Sequence, residues 1–195
     1  MAKKIFILLG HPDKESFNAR LADAYLQGVI EKGREVKRVN LGDLKFDPIL
    51  HRGYKVIQEL EPDLVAVQEN IKWCNHFVIF YPSWWSTMPA LLKGMFDRMW
   101  LPGFAFNFSH SGITHGYAWK RLLRGKTARV FVTSDSPVIL ARLLFGDSTN
   151  EIKKGILCFA GFSTSVTKIG GIKRASPKKM EKIMRKMKEW GSRGY

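Results

Sequence analysis

Residues 3–41 read KKIFILLGHPDKESFNARLADAYLQGVIEKGREVKRVNL, and this stretch decides the fold. Lys3 to Leu9 is an aliphatic and β-branched run closed by Gly10, as expected of a strand. Across Phe17 to Glu31 the apolar residues Phe17, Leu21, Ala24, Tyr25 and Val29 recur at helical spacing, and Glu35 to Leu41 returns to strand character. Outward from this unit the alternation continues. Pro62 to Cys74 is expected as a helix, His76 to Tyr81 as a strand, Met88 to Trp100 as a helix and Ala128 to Thr133 as the fourth strand. A short helix near Pro137 to Phe145, a helical segment from Thr149 to Phe159, a fifth strand at Ser163 to Ile169 and a basic helix from Pro177 to Trp190 complete the chain. Parallel strands need long crossovers, and helices supply them, so an α/β doubly wound five-stranded parallel sheet is expected, with strand order 2-1-3-4-5. The longest irregular stretch is Leu101 to Tyr117, and no linker divides residues 1–195, which are expected to form a single domain.

Composition excludes several classes. The chain is 45% hydrophobic and 25% charged, unlike a disordered polymer. Its longest apolar runs, Ile5 to Leu9 and Phe77 to Tyr81, are too short to span a bilayer, so no membrane insertion is expected. Met-Ala-Lys-Lys leads directly into the first strand without a signal-peptide core, which points to a cytoplasmic protein. Cys74 and Cys158 are isolated and are expected to be buried reduced thiols. Charge is uneven: residues 1–119 carry 14 Lys and Arg against 12 Asp and Glu, whereas residues 120–195 carry 18 against 5, so most of the net +15 sits in the second part. The cations are interleaved with core-type apolar residues, which favours a solvated basic surface over a nucleic-acid partner.

In open α/β sheets ligands bind beyond the carboxyl ends of the strands, which directs attention to three loops. Gly10 to Asn18 lies between a strand and a helix. Ser16 is placed as an N-cap there, His11 and Asn18 add donors, and the helix start could hold a phosphate; a merely capped helix fits the spacing as well. Tyr81 to Pro89 carries Trp84 and Trp85 side by side. Two adjacent tryptophans cannot both enter one core, so at least one is expected to line a cleft for a planar aromatic ligand. Thr133-Ser134-Asp135-Ser136-Pro137 follows the fourth strand as a polar turn. His110 and His115 lack further metal ligands in the sequence, so no metal is assigned.

The pattern of His11-Pro12, Ser16-Phe17-Asn18 and Leu21, the segment Phe46-Asp47-Pro48-Ile49, the stretches Tyr81-Pro82 through Trp85 and Pro89 through Gly94, and Gly155-Ile156-Leu157 with Phe159 and Gly161-Phe162 resemble the NAD(P)H:quinone reductase family. That family takes in DT-diaphorases, modulator-of-drug-activity proteins and ancillary proteins of potassium-efflux systems. The resemblance covers residues 3 to about 170. It implies a flavodoxin-like fold, a homodimer, and a flavin whose phosphates are held by His11, Ser16, Phe17 and Asn18. The flavin ring would meet Pro82, Ser83, Trp84, Trp85 and Ser86, with Thr133 and Ser134 at its polar edge. FAD is the implied cofactor, with FMN as the alternative, and NADPH or NADH the electron donor. Two electrons would pass through flavin N5 to a quinone-like acceptor by a ping-pong route, with no catalytic side chain. Trp85, Phe104, Phe106 and Phe108 would shape the acceptor slot, the three phenylalanines closing it from their own or a partner subunit. Asp135 and Ser136 stand where the family has two glycines. The alternative is a flavin-binding regulatory subunit with a peripheral partner such as a membrane transporter.

Overall fold

The computed structural model describes residues 3–108 and 118–194. The expected alternation is present: β1 (Ile5–Leu9), α1 (Phe17–Glu31), β2 (Val36–Asn40), α2 (Pro62–Trp73), β3 (His76–Pro82), α3 (Ala90–Met99), β4 (Phe106–Phe108), β5 (Trp119–Arg121), β6 (Thr127–Thr133), α4 (Val138–Phe145), β7 (Ser163–Ile169) and α5 (Pro177–Arg193). The main sheet runs β2-β1-β3-β6-β7, every pairing parallel, so counting its own five strands the order is 2-1-3-4-5 as expected.

Side chains on a strand alternate between faces, and β1 supplies both cores. Ile5, Ile7 and Leu9 point to a layer made with Ala19, Leu21, Ala22, Tyr25 and Val29 of α1 and Met187 of α5. Phe6 and Leu8 point to the opposite layer, with Leu64, Val67 and Ile71 of α2 and Leu92, Met95 and Met99 of α3. Because β1 and β3 are covered on both faces, every one of their residues is buried, and the sequence shows them as continuous apolar runs. In the first layer α1 and α5 touch through glycines. A Cβ on Gly28 would lie 2.0 Å from the Lys188 carbonyl oxygen, and one on Gly191 would lie 2.0 Å from the Tyr25 carbonyl oxygen. Ser16 and Ser176 cap these two helices by accepting hydrogen bonds from the Ala19 and Lys179 N–H groups, and Gly194, at φ 69°, ends α5.

On the other side of the sheet Arg98 of α3 is 1% exposed. Its guanidinium forks onto the Glu61 carboxylate at 3.0 and 3.1 Å, donates to the Glu59 carbonyl at 2.7 Å and also donates to the Asp47 carbonyl. The Asp47 N–H donates to the same carboxylate at 3.1 Å. One arginine thus pins both ends of the segment between β2 and α2.

Three expectations need correction. The stretch after Leu101 is not wholly irregular, because Phe106–Phe108 pairs antiparallel with Trp119–Arg121. Three-residue strands leave no readable periodicity. The helical segment expected near residues 149–159 is present, with Glu151–Cys158 wound as a π-helix. α3 starts at Ala90, two residues late, since Pro89 disfavours a helical conformation at Met88. Cys74 is buried, and burial pushes its thiol pKa up to about 11, whereas Cys158 is only half-buried. His110 and His115 lie outside the described residues.

Candidate functional site

The three loops singled out by topology converge at the carboxyl end of the sheet and line one cleft of about 730 Å³. His11, Ser16, Phe17 and Asn18 come from the first, Pro82, Ser83, Trp84, Trp85 and Ser86 from the second, and Thr133 and Ser134 from the third. Hydrogen bonds hold the loops in register. The Gly10 N–H donates to the Phe80 carbonyl at 2.7 Å, and the Ser83 N–H to the Thr133 carbonyl at 2.7 Å. The Asn18 amide donates to the Thr133 hydroxyl at 2.9 Å. Gly42 abuts the first loop, its position for a Cβ lying 1.9 Å from the Pro12 carbonyl oxygen, so the 3-10 turn after β2 buttresses it.

The first loop is a donor cradle. Ser16 Oγ satisfies the Ala19 N–H, but the Phe17 and Asn18 N–H groups at the start of α1 have no partner among the described residues. Together with the positive end of the helix dipole they favour an anion. His11 Nδ1 accepts from the Asp13 N–H at 2.9 Å, which leaves the ring proton on Nε2 as a donor. Its pKa is lowered, chiefly by partial burial, so at neutral pH it acts as a neutral donor. Asn18 is 3% exposed, and its Oδ1 is buried without a hydrogen-bond partner among the described residues. A buried orphan acceptor beside a free amide cradle suits a ligand carrying hydroxyls next to a phosphate.

The second loop is aromatic and strained. Trp84 and Thr87 exchange backbone hydrogen bonds at 2.9 and 3.0 Å, closing a two-residue turn. Its central residues, Trp85 at φ 50° and Ser86 at φ 63°, are both left-handed without being glycine. Such a conformation costs on the order of 1–3 kcal/mol per residue and is characteristically retained at functional sites. The turn throws the Trp85 side chain fully into solvent, at 100% exposure, while Trp84 packs edge-on to His11 at 5.4 Å between ring centres. The two tryptophans thus part company, Trp84 turned onto His11 although still 43% exposed and Trp85 standing free in solvent.

Ala141 and Phe145 of α4, Asp135 and Ser136 of the third loop, and Ile172 after β7 complete the lining. Asp135 and Ser136 belong to the loop already singled out in the sequence, whereas Ala141, Phe145 and Ile172 were not expected as contacts. The rule that ligands sit beyond strand ends would have reached Ile172, three residues past β7. Asp135 is exposed at the rim.

The phenylalanines expected to close this cleft do not do so within the chain. Phe104 is a correction: it is 6% exposed, packed edge-on to Trp100 at 5.5 Å in the core, and has no surface to offer a ligand. Phe106 and Phe108 line a different cleft, of about 800 Å³, with Tyr54, Ile57, Trp100 and Phe159. Phe106 packs edge-on to both Phe108 and Phe159. Among the described residues no group of three or more His, Cys, Asp or Glu could hold a metal.

Comparison with known proteins agrees with the fold. A family model described as flavodoxin-like fold matches residues 3–193. NAD(P)H dehydrogenase (quinone) 1 of Cavia porcellus is 30% identical over 128 residues, 55% of this chain and 46% of that protein, so the match spans about half the relative's length. The crystal structure of Smu.1420 from Streptococcus mutans UA159 superposes with a TM-score of 0.82 at 26% identity, covering 97% of this chain and 99% of that one. An FMN-dependent NADH-azoreductase from Bacillus anthracis str. Ames Ancestor, solved in complex with FMN, gives a TM-score of 0.77 at 18% identity over 98% of both chains, a likeness of fold.

Proposed function

We propose, from the premise that the chain belongs to the flavodoxin-like fold family, that it is a cytoplasmic flavin-dependent NAD(P)H oxidoreductase acting on a quinone-like acceptor. The observation that carries this reading is the pairing of an anion cradle at the start of α1 with an aromatic, strained turn across one cleft. A flavin bound there supplies the two-electron relay between donor and acceptor.

The residues present fit such a group. The free N–H groups of Phe17 and Asn18, with Ser16 and the His11 Nε2–H, would hold the phosphates. The orphan Asn18 Oδ1 needs a donor, and the ribityl chain of a flavin carries hydroxyls. Pro82, Ser83, Trp84 and Ser86 would bed the planar ring, with Thr133 and Ser134 at its polar edge. Trp85, standing free at the mouth, would cover whichever planar molecule lies on the ring. Donor and acceptor would therefore use that slot in turn, which is a ping-pong arrangement. We assign FAD in preference to FMN from the first-loop residues, and chromatography of extracted cofactor decides between them.

Titration of the purified protein with FAD and FMN, followed by flavin fluorescence, tests the reading. Binding at micromolar concentration is expected. Asn18→Leu should weaken it by roughly 10- to 100-fold, the equivalent of losing one hydrogen bond to a polar or charged group, with the circular dichroism spectrum unchanged. Absence of binding by either flavin sinks the proposal.

The second cleft is the proposed subunit interface. Ile57 is 93% exposed there, and Tyr54, Val56 and Phe108 are exposed beside it, an apolar face that a second copy of the chain would cover. Light scattering at tens of micromolar is expected to show a dimer of the 22.3 kDa chain. Ile57→Glu should return it to monomer, and a wild-type protein that is monomeric throughout this range would contradict the assignment.

A further inference from the structure

We infer that α4 is an interfacial anchor, seating the protein on an anionic bilayer surface with the helix lying in the headgroup plane. The inference does not depend on the redox reading. α4 reads VILARLLF, and none of its eight residues is buried. α1, α2, α3 and α5, by contrast, each bury part of a face. Ile139, Leu140, Leu143 and Leu144 fall at positions i, i+1, i+4 and i+5, so they form one stripe on the helix, and Ile139 and Leu143 are 76% and 78% exposed. An apolar stripe of this kind in water needs a cover.

The surrounding charge identifies the cover. Arg142, Lys153 and Lys154 line a basic cleft of about 410 Å³ against Val138 of the same helix, and none of the three forms an ion pair among the described residues. Lys168 at this cleft is already paired with Asp147 at 2.7 Å. The Gly171 N–H donates to the Ser136 carbonyl at 3.1 Å, which brings the following Lys173 and Arg174, both exposed, beside the start of α4. A helix with an exposed apolar stripe on one side and unpaired cations against its other side matches the pattern that binds at the surface of a membrane bearing acidic lipid. A second copy of the chain seated on this stripe would bring the same unpaired cations face to face, whereas an acidic lipid surface meets them with opposite charge. Eight residues extend about 12 Å, well short of a bilayer core. No helix of the described residues is long and apolar enough to cross a membrane, so the helix lies on the surface.

Flotation of the purified full-length protein with vesicles tests this. It should rise with vesicles of phosphatidylcholine and phosphatidylglycerol, stay behind with phosphatidylcholine alone, and be released at about 1 M salt, where screening is short-ranged. Ile139→Glu with Leu143→Glu should lower partitioning by roughly 100-fold, from two lost apolar contacts. Lys153→Gln with Lys154→Gln should lower it by roughly 30-fold, at about fivefold per cation near an acidic surface. All four positions lie outside the three-loop cleft, so flavin binding should persist in both variants, which separates this test from that of the proposed activity. Absence of flotation, equal flotation on neutral vesicles, or variants that float like the wild type would overturn the inference. A change of oligomeric state in the double glutamate variant would overturn it in favour of a second copy of the chain as the cover.

Discussion

Gly191→Ala is expected to lower folding stability by about 3 kcal/mol, at the upper end of overpacking costs. At this chain length that is a fall of roughly 10 °C in the unfolding midpoint. Alanine has the better helix propensity by about 1 kcal/mol, so a loss would be a packing effect. The added methyl would sit 2.0 Å from the Tyr25 carbonyl oxygen, a backbone atom in the middle of α1 that no rotamer change can move aside. The reciprocal contact, Gly28 against the Lys188 carbonyl at the same 2.0 Å, predicts a loss of similar size for Gly28→Ala. Both methyls force the same separation of α1 from α5. Once the helices have parted for one, the second costs little, and the double variant should fall well short of the additive value. Urea unfolding of the three variants measures this. Single substitutions without effect would mean that the two helices do not cross this closely.

The second large effect is expected at Arg98. Arg98→Met removes both hydrogen bonds to Glu61 and those to the Glu59 and Asp47 carbonyls, leaving a partly buried carboxylate without its cation. Breaking a buried pair from one side typically costs about 3–5 kcal/mol, and the 29% exposure of the Glu61 side chain places this case near the lower figure. The pair also fixes an acid limb. Partial burial pushes the Glu61 pKa up, but hydrogen bonds from the Asp47 N–H and Arg98, with the charge of the guanidinium, outweigh it and hold the group below its ordinary 4.5. A group depressed on folding stabilises the native state above its unfolded pKa and loses that contribution as pH falls through the folded one. Stability should therefore decline below about pH 4.5. Asp47 and Asp147 are held down by hydrogen bonds as well and contribute to the same decline. Glu61→Gln isolates the pair, since its stability should be lower at neutral pH and converge on the wild type as the acid limb is descended. Parallel curves for the two proteins would show that Glu61 does not titrate with folding.

The sheet was legible because strands covered on both faces leave unbroken apolar runs such as Ile5 to Leu9, and the short length of that run, closed by Gly10 and followed by a helix cap at Ser16, separates it from a buried helix. The site was legible through topology. Once the strand order is known, the loops after β1, β3 and β6 must meet, and chemistry-bearing residues fall in all three. Contacts depending on tertiary placement were not. Phe104, Phe106 and Phe108 look alike in the chain, yet one is core and two line another cleft, because direction within a short irregular segment is set by what it packs against. Eight residues hold too few turns to separate a π-wound helix from an α-helix. The apolar stripe of α4 is visible in the sequence, but periodicity gives the width of a stripe and says nothing about whether another element covers it.

The glycine crossing of α1 with α5 also bears on how the chain is made. Synthesis runs from the amino end, so α1 is complete while the segment that will lie across Tyr25 and Gly28 is still about 150 residues from being translated. During that interval its apolar face, and the β1 residues beneath it, have only part of their final cover. Closure of this layer is a contact of long sequence separation and must come late. Nascent chains halted before residue 187 should be the species that holdase chaperones recognise, and release should coincide with the emergence of Met187 and Gly191 from the ribosome.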